Sequence, residues 1–405
     1  MLAPLRLRDF RLLWTGLAVS LLGDGVYVVA IAWQAYQISN SPFALAVTGV
    51  AWTLPSVIVL PFSGALSDRA GRRPLMIAAN LLRALAALAI GLLAVAGSVE
   101  IWHLILLSVV FGMGEALFGP SFTAIVPEIV PEHLLVQANS LDQAMRPLAM
   151  QFLGPALGGA LVASVGSGSA FLFDAATLLF AALMLTLMRT RTAARAPAQS
   201  RLLEDMRDGA RYVRTQVWLW ATLLGFSVAV LVFWGPIEVL VPYLVKNDIG
   251  GGAGGFGLVL AAGGAGAILA AVTISVVGLP ARRLGLVYAA FIVAGYGTAL
   301  YGVAQALWQM AVIAALAGAC FSAGLVAWST TMQSRVPTEL LGRVSSLDWM
   351  VSISLLPVSF AVVGPVSRVL GVRETLILAG TVAGTILLLV LASVPELRQP
   401  EPEAA

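Results

Sequence analysis

The sequence is poor in charge. Only 11% of its 405 residues are charged, against about 25% in an average soluble protein, while 60% are apolar. This excludes a water-soluble enzyme of this length, a disordered chain and a nucleic-acid-binding protein. One cysteine, Cys320, and two histidines exclude a disulfide framework and give no ligand cluster for a metal. We predict no metal, no cofactor and no catalytic site, and the lack of a nucleotide-binding motif excludes ATP as an energy source.

Long apolar segments, in contrast, are abundant. Twelve segments have the length and hydropathy to cross a bilayer as helices. They are Leu12–Tyr36, Leu45–Leu66, Leu75–Gly97, Trp102–Val126, Leu141–Val165, Ala170–Met188, Val217–Val241, Phe256–Gly278, Leu284–Ala304, Trp308–Met332, Val344–Leu370 and Thr375–Val394. The 40 glycines and 20 prolines suit packed and kinked membrane helices. We therefore predict an all-α membrane protein with twelve transmembrane helices.

The basic residues predict the orientation of these helices. If the N-terminus is inside, 20 of the 23 Lys and Arg residues, Arg83 among them, belong to the inner side. Only Lys246, Arg368 and Arg373 fall outside. By the positive-inside rule, both termini are cytoplasmic and the chain is a multi-pass protein of the cell membrane.

An internal repeat divides the chain. Residues 130–142 read VPEHLLVQANSLD and residues 336–348 read VPTELLGRVSSLD, with seven of thirteen positions identical. We predict two pseudo-symmetric six-helix bundles, residues 1–189 and 215–405, the second with a short cytoplasmic tail. Residues 190–214 form a cytoplasmic linker with a short amphipathic helix, and the glycine-rich run Ile249–Gly257 forms a flexible hairpin. Parallel repeats of this kind are typical of transporters with a site at the bilayer midplane.

The connection between spans two and three carries a specific motif. Residues 64–73 read GALSDRAGRR, which resembles the G-x-x-x-D-R-x-G-R-R signature of the major facilitator superfamily. The resemblance implies a cytoplasmic latch in which Asp68 faces the N-terminal end of a helix of the other half, Arg72 or Arg73 pairs with Asp142, and Arg282 and Arg283 meet Asp348. The predicted latch residues are Gly64, Asp68, Arg69, Gly71, Arg72, Arg73, Asp142, Arg146, Arg282, Arg283, Arg343 and Asp348.

Two further segments refine the resemblance. Gly154, Pro155, Gly158 and Gly159 in span five resemble the motif that marks antiporters of the superfamily, and their small size allows close helix packing. Residues 118–141 resemble the branch that contains macrolide-efflux proteins and the enterobactin exporter. Span four lacks the arginine that many drug:proton antiporters carry there, so its role in proton coupling does not carry over.

Carboxylates inside the apolar spans are costly and therefore indicate function. Asp24 and Glu115 lie at the centres of spans one and four, and we predict that they couple transport to protons. Tyr27 is the only nearby partner for Asp24 on its own span. Aromatic side chains accompany the acids at helical spacing, which predicts contacts with a bulky substrate. The predicted substrate-binding residues are Tyr27, Phe111, Glu115, Phe118, Trp234, Glu238 and Trp328.

These features predict a monomeric, proton-coupled secondary transporter of the drug:proton antiporter type, which exports drugs or bulky amphipathic metabolites by alternating access. Its partners are the bilayer, protons and a small molecule. A siderophore exporter and a solute importer remain alternatives within the fold. A non-transporting membrane sensor or scaffold is an alternative from another class, although a scaffold has no need of the latch motif and the buried carboxylates.

Overall fold

The computed structural model describes residues 3–189 and 202–398, with side chains at all but a few of these positions; Gly64 and Asp68 of the predicted latch lie outside the described side chains. Fifteen α-helices account for most of the described residues. They are α1 (Arg8–Ile38), α2 (Pro42–Ala70), α3 (Arg72–Val95), α4 (Ile101–Ile129), α5 (Glu132–Arg146), α6 (Gly154–Val165), α7 (Ser167–Thr186), α8 (Leu202–Thr215), α9 (Val217–Asn247), α10 (Gly252–Val277), α11 (Arg283–Val303), α12 (Leu307–Arg335), α13 (Thr338–Ser354), α14 (Leu356–Leu370) and α15 (Val372–Ser393).

Twelve spans in the described part of the chain are long and apolar enough to cross a membrane, which confirms the predicted number. Two of them are not the continuous helices that hydropathy predicted. The fifth consists of α5, a π-helical turn at Pro147–Leu153, and α6. The eleventh is interrupted at Leu355, between α13 and α14. Proline explains the first interruption, because Pro147 has no N–H to donate to the preceding turn.

The sequence repeat corresponds to a repeat of backbone hydrogen bonds. Ahead of α5, the N–H of Val130 donates to Val126 at 3.0 Å and that of Leu134 donates to Pro131 at 2.9 Å. Ahead of α13, the equivalent bonds join Val336 to Met332 at 3.1 Å and Leu340 to Pro337 at 2.9 Å. The two segments therefore adopt the same turn, with the proline directly before the first helical residue.

The first compact unit comprises Met1–Ala198 and Gly250–Ala261. In it α1 packs along α6 and α7, α3 packs against α4 and α7, and α2 packs against α4. One apolar cluster joins Phe10, Leu13 and Leu17 of α1 to Met76 of α3 and Phe122 of α4. These contacts make α1 and α3 the central helices of the unit.

The second compact unit comprises Gln199–Ile249 and Ala262–Ala405. Its helices pair in the order of the first unit, because α9 packs along α14 and α15, and α11 packs against α12 and α15. Its core contains Trp218 and Leu223 of α9 with Tyr288 and Phe291 of α11. Each unit therefore buries its apolar surface around one pair of central helices.

Small residues allow α6 to approach its neighbours closely. A Cβ atom added to Gly154 would lie 2.7 Å from the Cα of Gly25, and one added to Gly158 would lie 2.9 Å from the Cα of Val26. On another face, a Cβ atom on Gly159 would lie 2.9 Å from the Cα of Gly257. The glycines of this motif therefore lie in close contact with α1 and α10. The glycine-rich run is not simply a flexible hairpin, since α10 begins at Gly252 and Gly257 packs as part of it.

The predicted helix before the second half is present as α8. The hydroxyl of Tyr212 donates to the backbone oxygen of Arg335 at 3.3 Å. A Cβ atom at Gly209 would lie 3.2 Å from the Cβ of Arg343, so α8 packs closely on α13. The helix is therefore a fixed part of the second unit. Its position at the membrane surface stays a prediction.

Candidate transport site

The centre of the first unit contains a buried ion pair. Asp24 of α1 pairs through Oδ1 with Nη2 of Arg83, which lies about three turns inside α3. The exposed fractions of the two side chains are 14% and 5%. The partner of Asp24 thus lies on another helix, whereas the sequence offered only Tyr27 on its own span. The assignment of Arg83 to the basic residues of the inner side is wrong.

Two residues of α4 enclose the Arg83 side chain. The ring centroid of Phe111 lies 4.5 Å from Cζ of Arg83, in cation–π geometry. A Cβ atom on Gly114 would lie 2.6 Å from Cγ of Arg83 and 2.8 Å from the backbone oxygen of Ala79. The missing side chain at Gly114 therefore leaves the space through which Arg83 reaches Asp24.

We expect Gly114→Ala to destabilise the protein by about 1–3 kcal/mol, because the added methyl group forces Arg83 away from Asp24. Gly119→Ala is the matched control on the same helix, since a Cβ atom there meets nothing within 4 Å. The thermal unfolding midpoints of both purified variants in detergent would check this. Equal midpoints would contradict the assigned packing.

Glu115 has a partner from another helix. Nε1 of Trp52, on α2, donates a hydrogen bond of 2.6 Å to Oε2 of Glu115. The Glu115 side chain is half-buried. Of the aromatic residues predicted to share its face of α4, Phe118 and Phe122 stack on each other with their ring centroids 6.0 Å apart. Glu115 is therefore a held carboxylate rather than an isolated one.

Tyr27 and Phe111 support this region from inside the bundle. Their rings stack with centroids 4.2 Å apart, and Trp52 and Phe171 meet Tyr27 edge-on at 5.8 and 5.5 Å. Tyr27 and Phe111 are each 1% exposed. In this conformation they pack beneath Arg83 and Trp52 and offer no free ring surface to a substrate. Their substrate contact stays a prediction.

A third acid, Asp174 of α7, completes the group and was not among the predicted site residues. It is fully buried, and the neighbouring Thr177 hydroxyl donates to its backbone oxygen at 2.7 Å. That hydroxyl is the donor nearest to the carboxyl group, whose two oxygens have no hydrogen bond of good geometry with the described residues. It lies against α1, because a Cβ atom on Gly23 would be 2.6 Å from its Oδ1. Arg83 interacts electrostatically with Asp24, Glu115 and Asp174 alike. We call these four residues the charged cluster.

The second unit contains an aromatic surface of its own and an acid beside it. The ring centroids of Trp234 and Phe321 lie 5.9 Å apart, those of Phe321 and Phe291 lie 5.6 Å apart, and those of Phe291 and Phe226 lie 4.5 Å apart. Glu238, one turn after Trp234, is half-buried and forms no hydrogen bond or ion pair with the side chains that the structure describes. The pair Trp234 and Glu238 thus combines ring surface with an available carboxylate.

Trp328 does not join this surface as an open ring. Its Nε1 donates a hydrogen bond of 3.2 Å to Oδ2 of Asp348, and its ring lies 6.1 Å from that of Trp218. The expected contact of Arg282 or Arg283 with Asp348 is therefore wrong. Arg283 donates instead to Ser334 at 3.3 Å. The donor to Asp348 is therefore the uncharged indole N–H of Trp328.

Two arginines of the loop signature, Arg72 and Arg73, have partners within their own unit. Arg72 pairs with Glu128 of α4 at 2.9 Å. Arg73 donates to the backbone oxygens of Leu185 and Thr186 at 2.7 and 2.6 Å, and these carbonyls lie at the C-terminal end of α7. A cation there is favoured by the helix dipole.

In the rest of the predicted latch, Asp142 departs from the expectation and Gly71 agrees with it. The expected pairing of Arg72 or Arg73 with Asp142 is wrong, because Asp142 pairs with Arg146 on its own helix at 3.0 Å. Gly71 forms the expected tight turn between α2 and α3, with a φ of 84° that only glycine adopts easily.

Comparison with known proteins places this arrangement in context. The family described as "Transmembrane secretion effector" matches residues 1–405. The multidrug efflux pump Tap of Mycolicibacterium fortuitum is 27% identical over 389 residues, which cover 93% of each chain. Macrolide efflux protein A of Streptococcus pyogenes is 22% identical over 377 residues, or 92% of each chain. The crystal structure of a POT family transporter in complex with 5-aminolevulinic acid shares the fold, with a TM-score of 0.74 at 13% identity over 97% of both chains.

Proposed function

Since the chain belongs to the transmembrane secretion effectors of the major facilitator superfamily, and is a multi-pass membrane transporter of small molecules, we propose that it exports bulky amphipathic compounds in exchange for protons. The charged cluster carries this proposal. A guanidinium group stays charged at any physiological pH, whereas a carboxyl group can gain or lose a proton. An arginine buried with carboxyl groups therefore forms a site whose ion pairing depends on proton binding.

Asp24 is the proton-binding group in this proposal. When ionised, it neutralises Arg83, and the pair is stable in the apolar interior. When Asp24 takes up a proton from outside, its ion pair with Arg83 is broken, which favours a change of conformation. Release of the proton to the inside restores the pair. One proton thus enters for each cycle in which substrate leaves.

The second unit supplies the substrate surface in this proposal. Aromatic rings attract bulky apolar groups and cations, and the free carboxylate of Glu238 attracts a positive charge. A drug or metabolite with an apolar body and a cationic group fits this chemistry. The names of the two relatives, a multidrug and a macrolide efflux protein, support the same class.

The orientation follows the basic residues. We place both termini in the cytoplasm, because the arginine-rich connections all fall on one side. We also propose that the chain acts in the cell membrane as a monomer. In this reading residues 1–189 and 215–405 are the two bundles whose movement gives alternating access, and residues 190–214 link them.

Proteoliposomes that contain the purified protein and a fluorescent cationic dye test the proposal directly. We expect an imposed pH gradient to drive dye movement and a protonophore to stop it. Dye movement that ignores the gradient would overturn proton coupling. Dye uptake by cells that express the protein, rather than reduced accumulation, would overturn export in favour of import.

Two conservative variants separate the roles of the acids. Asp24→Asn should reduce gradient-driven dye movement to the level of empty liposomes, because an amide binds no proton. Glu115→Gln should retain the gradient dependence, since an amide oxygen can still accept the Trp52 hydrogen bond, and should change the range of dyes transported. Unchanged gradient dependence in Asp24→Asn would contradict the assignment.

A further inference from the structure

Asp174 is the buried group that the proposed mechanism leaves unused. It is 0% exposed, in the interior of α7, and neither carboxyl oxygen has a hydrogen bond of good geometry with the described residues. A carboxylate in such a place, with no well-placed donor, would cost several kcal/mol. Asp174 therefore holds a proton in this conformation. A residue whose only role was packing would be better served by an apolar side chain.

The surroundings of Asp174 point to a specific partner. Its carboxyl group lies against the backbone of Gly23, directly beside Asp24 in the chain. The titratable groups that act on it are Asp24 and Tyr27 of α1 and Arg83 of α3. Arg83 in turn has a donor to spare, since its Nε is buried without a hydrogen-bond partner among the described residues. An unused acceptor and an unused donor thus lie in the same cluster.

The charges of the cluster limit which acids can be ionised. One arginine balances one carboxylate, so three ionised acids would leave two uncompensated negative charges in an apolar region. In this conformation Asp24 is the ionised partner. Glu115 already has a partner, because it accepts a hydrogen bond from Trp52. Asp174 is therefore the acid that remains to pair with Arg83 when Asp24 is protonated.

We propose that Asp174 is the second counter-ion of Arg83 and that the arginine exchanges Asp24 for Asp174 during transport. One proton binds to the Asp24 carboxylate from the outside as one proton leaves the Asp174 carboxyl group to the inside, so the net charge of the cluster is constant. When the Asp24–Arg83 pair forms again, the proton on Asp24 passes to Asp174, and one proton has crossed in the cycle. Arg83 then keeps an anionic partner in both states, and a buried cation is never left alone. The exchange deepens the proposed function, and its consequence for transport rests on that function.

A double-mutant cycle in the purified full-length protein tests the exchange without any transport measurement. If Asp174 can replace Asp24, Asp24→Asn should lower the thermal unfolding midpoint only slightly, and Asp174→Asn likewise. The double variant should lose clearly more than the sum of the two shifts, because Arg83 then lacks both counter-ions. The matched cycle of Asp24→Asn with Glu115→Gln should be nearly additive. An additive result for Asp24 and Asp174 would overturn the proposal.

The double variant could fail to accumulate in membranes, so a third change is included. Arg83→Met in the double-variant background removes the stranded cation and should restore the yield and the midpoint. Failure of this rescue would overturn the proposal, because the loss in the double variant would then not come from an Arg83 that lacks both counter-ions.

The transport measurement is kept separate. Asp174→Asn in proteoliposomes should preserve the resting Asp24–Arg83 pair but lose most gradient-driven dye movement. If the unmodified protein showed no gradient dependence, the proposed function would fail while the unfolding cycle still decided the counter-ion exchange. Full gradient-driven movement in Asp174→Asn, with the unmodified protein active, would overturn the exchange alone.

Discussion

Replacement of Arg83 by methionine is expected to abolish gradient-driven transport and to destabilise the protein strongly. Methionine fills much of the space beside Phe111, but it leaves Asp24 buried without its counter-ion. Removal of one member of a buried ion pair typically costs about 3–5 kcal/mol, because the other charge stays desolvated. The thermal unfolding midpoint in detergent and dye movement in proteoliposomes would measure the two effects.

A second change should separate stability from transport. Arg83→Met combined with Asp24→Asn removes both charges, so the midpoint should recover towards that of the unmodified protein while transport stays absent. Arg146→Met is the control for stability, since Arg146 pairs with Asp142 on its own helix and is 41% exposed. Because the Arg146 side chain is partly in solvent, we expect its loss to cost only about 0–1 kcal/mol. A double variant as unstable as Arg83→Met alone would contradict the ion-pair assignment.

The sequence was sufficient for the number of spans and for the repeat. Hydropathy over 18 or more residues depends only on local composition, and the bilayer thickness fixes the length of each helix. The turn before α5 and α13 was also predictable, because the same Val-Pro pair recurs at an offset of 206 residues. The break in span five was not, since the effect of Pro147 depends on how neighbouring helices satisfy the freed backbone groups.

The charged cluster could be predicted only in part. Asp24 and Glu115 were found because an acid within an apolar span is unusual. Arg83 gives the same signal, because it is also a charged residue within an apolar span. In the structure it lies on the face of α3 that includes Met76, Ala79 and Ile90, all of them buried. Because Arg83 lies near the predicted start of its span, an inner-side position also fits the sequence. Its partner lies on α1, and a single sequence does not specify such contacts between helices.

Partners across helices explain the other differences. Trp52 and Trp328 both donate to acids on another helix, Glu115 and Asp348. An indole in an apolar span looks like an apolar or interfacial side chain in the sequence, so neither hydrogen bond was foreseen. The arginines of the loop signature were expected to bind acids of span five, but the carbonyls at the end of α7 and the carboxylate of Glu128 lie nearer.

The loop signature leads to the other large effect. We expect Asp68→Asn to abolish transport while the protein reaches the membrane in normal amount. The arginines of the motif already have roles inside the first unit, with Arg73 on the end of α7 and Arg72 on Glu128. The predicted role of Asp68 is different, since it closes the inner side of the transporter in one state only. An amide keeps the shape but removes the charge that a helix N-terminus attracts.

Arg73→Gln is the control that separates latch from scaffold. It replaces the guanidinium group that donates to the carbonyls of Leu185 and Thr186 by a shorter, uncharged amide, so it should lower the thermal unfolding midpoint, whereas Asp68→Asn should leave the midpoint unchanged. Dye accumulation in intact cells, with the membrane content of each variant measured in parallel, gives the transport result. If Asp68→Asn cells excluded dye as well as cells with the unmodified protein, the latch would be refuted. The motif would then serve only to orient the chain and to hold α3 against α4 and α7.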